Sequence, residues 1–133
     1  MNKRFLAATI AVFAFIFGYD FLYHGMYLAD DYQATASLWR PETAMADYMR
    51  YLTIGQLVIA FGVVWLVFRS ERGGWLAGAV TGIALATIGA GTHLIFFAVQ
   101  PLPSDLVCSW ITSGFIQTAI AGAIAGAIYK PEL

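Results

Sequence analysis

The stretch YDFLYHGMYLADDY, residues 19–32, sets a carboxylate and an imidazole four positions apart, Asp20 and His24, at the close of an otherwise apolar run. On a helix this spacing stacks both side chains on one face, which further steps of three and four carry to Tyr27 and Asp31. An aspartate hydrogen-bonded to a histidine fixes the tautomer and aim of the ring, as it does behind metal ligands. A second histidine, His93, follows in the third apolar run. Facing each other, His24 and His93 would hold a haem b iron from both sides. Joined by Asp20, with Cys108 as a further donor, they would surround a divalent metal ion. Gly18, Gly25, Gly89 and Gly91 would leave room beside those helices, but neither a zinc motif nor a haem-attachment motif accompanies the histidines. The plainer alternative is that Asp20 and His24 satisfy each other and hold the helices in register. A third is a relay for protons or a small solute, for which the second half of a route is missing.

No catalytic residue is expected. Ser104, Ser109 and Ser113 have no histidine and carboxylate arranged around them as in a hydrolase. GAGTH and RGGWLAG lack the preceding strand and following lysine of a phosphate-binding loop. The single cysteine, Cys108, rules out a disulfide within the chain.

Membrane helices must position these groups. With 60% hydrophobic and 11% charged residues the chain reads as an integral membrane protein. A span needs roughly 20 apolar residues at about 1.5 Å each. Four runs qualify: Phe5 to Leu28, Tyr51 to Phe68, Trp75 to Val99 and Leu106 to Tyr129. The expected fold is all-α, a polytopic bundle of four transmembrane helices arranged as two hairpins, with residues 1–133 forming a single membrane domain. The opening MNKR resembles the basic start of a signal peptide. FAFIFGYD offers no small-x-small cleavage site, however, so the first run reads as an uncleaved span.

Charge gives the expected orientation. Lys3, Arg4, Arg69, Arg72 and Lys130 fall on one side and only Arg40 and Arg50 on the other, which puts both termini in the cytoplasm of a multi-pass inner membrane protein. The opposite face then carries Asp30, Asp31, Glu42, Asp47 and Asp105. Between the first two spans, Pro41 and Glu42 suit a helix start, so a short amphipathic outer helix is expected within residues 29–50, with Trp39, Tyr32, Tyr48 and Tyr51 at headgroup level. Pro101 and Pro103 make the second outer connection tight, and Ser104 or Asp105 can cap the fourth helix.

Counted from the basic ends, Asp20, Gln56 and Gln117 lie roughly 20 Å up, and His24 and His93 somewhat higher. Thr92, Thr112, Ser113 and Cys108 share that half, whereas the other half is almost wholly apolar. A carboxylate at this depth must face the bundle interior and find a partner. A weak repeat relates the two halves of the chain: Gln56 lies thirteen residues before Arg69, and Gln117 thirteen before Lys130. Small residues recur every four positions at Gly74, Gly78, Gly82, Ala86 and Ala90, and at Gly114, Thr118, Gly122 and Gly126, where they permit close helix contact within a chain or between copies.

HGMYLADDYQATASLWRPE, VQPLP and GFIQTAIAGAIAGAIYKP resemble the recurring segments of a family of small bacterial four-helix integral membrane proteins with no assigned activity. The resemblance runs from about Phe17 to Pro131. It implies a bacterial inner membrane protein with two hairpins and a short outer helix, in which His24, Gly25, Trp39, Arg40, Pro41, Pro101, Pro103 and Gln117 matter. The leading functional expectation is a non-enzymatic accessory or assembly subunit of a larger membrane complex, or a homo-oligomer, embedded in membrane lipids. It would meet a basic periplasmic protein through Trp39, Arg40 and Glu42, and no nucleic acid. A haem- or metal-binding redox subunit is the second expectation, and a small transporter or channel the third.

Overall fold

The computed structural model describes residues 3–129. Lys130 and Pro131, on which part of the charge count, the repeat and the resemblance rest, lie outside the described residues. Helix α1 spans Lys3–Leu22 and passes into a π-helical turn at Tyr23–Tyr27; α2 spans Ala29–Ala34, followed by a 3-10 turn at Ala36–Leu38. The three remaining helices are α3, Glu42–Arg69, α4, Trp75–Val99, and α5, Ser104–Ile128. Lys3–Tyr27, α3, α4 and α5 are each long and apolar enough to cross a membrane.

The boundaries follow local chemistry. Pro41, extended at φ −54° and ψ 145°, precedes α3, and Glu42 sits in its first turn beside the unpaired amides. From there the helix runs unbroken to Arg69. The helix expected to start at Pro41–Glu42 is therefore continuous with the apolar run from Tyr51. TAMADYMRY contains neither glycine nor proline, so nothing interrupts the backbone hydrogen bonds before the apolar stretch. The ordered structure before Pro41 consists of the short α2 and the 3-10 turn. Helix α5 begins at Ser104, with Pro103 as its flanking residue and no side-chain cap, so neither Ser104 nor Asp105 caps it.

Helix α5 packs most extensively on α4 and also touches α1 and α3, while α3 packs on α1 and more lightly on α4. One layer of the core is built of Ala8, Val12 and Ile16 from α1, Ala60, Val63, Val64 and Val67 from α3, and Ala121 and Ala125 from α5. Phe5 closes the Arg4–Arg69 end against Phe61 and Phe68, each with ring centroids at 5.4 Å.

The small-residue stripes meet within one chain. Gly78 lies against Gly122, Gly82 against Thr118 and Gly126 against Gly74, and a Cβ added at Gly78 or Gly122 would collide with the other's carbonyl group. These partners run in opposite order along α4 and α5, and the Gly74 amide donates to the Gly126 carbonyl at 3.1 Å. Backbone contact of this kind needs residues without side chains and replaces an apolar core between the two helices. Gly74 has a second requirement, its φ of 98°, which only glycine adopts without strain.

Candidate functional site

Asp20, in the last turn of α1, is the point on which three helices converge. Gln56 of α3, only 6% exposed, donates from Nε2 to Asp20 Oδ2 at 2.7 Å. Gln117 of α5 donates from Nε2 to Oδ1 at 2.5 Å. An ionised carboxylate only accepts, which fixes both amides with their nitrogens inward. The expected inward-facing Asp20 is therefore found, and the two glutamines paired by the weak repeat are its partners.

The expected bond between Asp20 and His24 is absent. His24 Nε2 stands 3.9 Å from Asp20 Oδ1, beyond hydrogen-bond reach. The two side chains still face each other at ion-pair distance, and the helix passes into a π-turn at Tyr23–Tyr27, closed by Leu28 N donating to the Tyr23 carbonyl at 2.9 Å. The supposed common face ends there, since Tyr27 is 72% exposed and Asp31 is exposed as well. His24 turns instead to the segment before α3, where its Nδ1 lies 2.7 Å from the Tyr32 hydroxyl. That hydroxyl accepts a hydrogen bond from Trp110 Nε1 of α5 at 2.9 Å. The direction of the Tyr32–His24 bond follows the histidine tautomer.

The layer continues sideways through rings. Trp110 packs against His93 at 5.7 Å and against Trp39 at 6.0 Å. Trp39 itself lies 5.6 Å from Tyr32 and donates from Nε1 to Thr35 Oγ1 at 2.8 Å. Below them the Ser113 hydroxyl donates to the Tyr19 hydroxyl at 3.1 Å, and the Tyr23 hydroxyl donates to the Ser109 carbonyl at 3.2 Å. Tyr32 lies outside the long apolar helices. Burial pushes its phenol above the ordinary tyrosine value, the negative charge of Asp20 adds to the rise, and the Trp110 donor opposes it. Two atoms of the layer are buried without a partner among the described residues: Gln56 Oε1 and His93 Nδ1.

The residues expected as ligands, His24, His93 and Asp20, all belong to this layer. His24 and His93 are linked through Tyr32 and Trp110. Each Asp20 oxygen accepts one glutamine N–H and keeps a further lone pair. No group of three or more histidine, cysteine, aspartate or glutamate residues able to hold a metal ion occurs among the described residues, and Cys108 is exposed. Of the expected partner contacts, Trp39 is fixed inward, while Arg40 and Glu42 are exposed. The Arg40 guanidinium lies over the Tyr48 ring, 3.8 Å from its centroid.

Two central residues escape the sequence reading. Tyr32 passes for an interfacial aromatic, and Trp110 for one more apolar residue. A signal for the second exists: Ser109, Ser113 and Gln117 recur at steps of four, and Trp110 stands beside that polar stripe.

Comparison with protein families, with curated proteins and with solved structures yields no match for the chain. The fold and the layer define an all-helical protein with four long apolar helices, compatible with membrane spans, and a polar network confined to one half of the bundle.

Proposed function

We propose that the protein is a small multi-pass membrane protein, with two helix hairpins and both termini in the cytoplasm, that acts without chemistry of its own. Its role is that of an accessory or assembly subunit which presents an ordered acidic surface to a basic partner at the outer face of a bacterial inner membrane. The observation that carries this reading is the anchoring of the segment before α3. Tyr32 and Trp39 tie it to Trp110, so a connection that would otherwise be loose is held as a platform. Asp30, Asp31, Glu42, Asp47 and Asp105 are exposed around it. Arg40 and Arg50, the two bases of this end, lie over Tyr48 and Tyr51. A surface of one sign steers an oppositely charged partner and fixes its register, and pre-ordering lowers the entropic cost of docking.

Mildly extracted wild-type protein is expected to migrate on native gels within a complex heavier than its own oligomer. The double variant Asp30→Lys, Asp31→Lys and the variant Trp39→Ala should release it, the first through charge and the second through loss of the anchored platform. Unchanged migration of both variants, with normal membrane levels, would remove the reading.

A further inference from the structure

The Asp20 layer holds a carboxyl group with no lysine or arginine paired to it among the described residues. Among the described residues the one ion-pair contact of Asp20 is His24 at 3.9 Å, and that imidazole is committed to Tyr32 through Nδ1. Gln56 and Gln117 supply neutral donors. They orient the carboxylate without cancelling its charge. In an apolar bundle an ionised group without a counter-charge is expensive, and such groups mark ion or substrate positions.

A second, independent observation points to what is missing. Gln56 is more than nine-tenths buried, yet its Oε1 meets no donor among the described residues. The same amide bonds Asp20 through Nε2, so the orphaned oxygen belongs to a side chain already held at the carboxylate. An unpaired buried acceptor costs about 1–3 kcal/mol, and here it accompanies a carboxyl group with no lysine or arginine paired to it among the described residues. A single positive species against both would satisfy the two deficits together.

We propose that the layer binds one small monovalent cation, held by the Asp20 carboxylate and the Gln56 amide oxygen. Oxygen donors of this kind, a carboxylate with neutral carbonyl-type groups, suit hard cations. The single carboxylate selects for a charge of one, because a divalent ion would leave a net positive charge in the same apolar surroundings. Gln117 holds the second carboxylate oxygen and serves as a positioning residue. This inference concerns the interior of the bundle and is independent of the partner-docking reading.

The test is equilibrium binding of radiolabelled sodium, and separately rubidium, to the detergent-purified full chain, in choline chloride at a pH where imidazole is neutral. Saturable binding of at least one of these ions, displaced by the same unlabelled ion but not by choline, is expected, approaching one ion per chain. Asp20→Asn keeps the shape and removes the charge, and should weaken binding by roughly tenfold or more. Gln56→Met removes the orphaned oxygen at similar length and should weaken it in the same direction. Because the wild-type measurement requires no variant to fold, absence of displaceable binding for both ions overturns the proposal, and so does unchanged affinity in a folded Asp20→Asn protein.

Discussion

Tyr32 is the single side chain on which the polar layer turns, since its hydroxyl serves Trp110 and His24 at once. Tyr32→Phe leaves the Trp110 N–H and the His24 Nδ1 without their partner, which should cost about 1–3 kcal/mol and lower the thermal midpoint in detergent. The same residue gives a pH prediction. Its folded-state pKa is raised, chiefly by burial, so the stability it contributes is complete below the ordinary tyrosine value of about 10 and is lost as pH rises through the folded value. Wild-type protein should therefore lose anchoring of Trp39 and Trp110 above about pH 10, read by tryptophan fluorescence. Tyr32→Phe should lack that component of the change. At this scale Asp20, Gln56 and Gln117 are legible in the sequence, because polar residues at one depth of an apolar bundle must find each other. The Asp20–His24 spacing brings the two to ion-pair distance, but the hydrogen bond of His24 goes to Tyr32, which no spacing within one helix announces.

The helices α4 and α5 meet backbone to backbone, and this makes their glycines unequal to the others. Gly78→Ala places a methyl group into the carbonyl of Gly122. It should destabilise the protein by about 1–3 kcal/mol, the range for overpacking, as a lower thermal midpoint. Gly62, in the middle of α3, has open space where its side chain would stand, so Gly62→Ala should be neutral or stabilising, alanine being the better helix former by up to about 1 kcal/mol. The stripe at Gly74, Gly78, Gly82 and Ala86 is plain in the sequence, but its partner is not, because small residues every four positions serve contacts within and between chains alike. The long α3 was hidden for a related reason. Its first two turns are polar enough to look like surface structure, and nothing in TAMADYMRY marks the point where a surface helix would have to stop.

In the whole molecule, polarity is divided between the two halves of the bundle. One half is packed with alanine, valine and phenylalanine between Ala8 and Val67, and the other carries the Asp20 layer beneath the acidic rim. The four long apolar helices were legible from apolar length alone, whereas the anchoring of the segment before α3 depends on a hydrogen bond between residues 78 apart in the chain, Trp110 and Tyr32, which no local pattern announces. The central claim is that this anchored acidic rim docks a partner, and site-directed photo-crosslinking in intact membranes tests it most directly. A crosslinker carried by Asp47→Cys, in a Cys108→Ser background, should give a discrete adduct heavier than the protein's self-dimer. That adduct should vanish when Asp30 and Asp31 are both changed to lysine. Adducts confined to lipid or to a second copy of the chain, or an adduct indifferent to the charge reversal, would contradict the account.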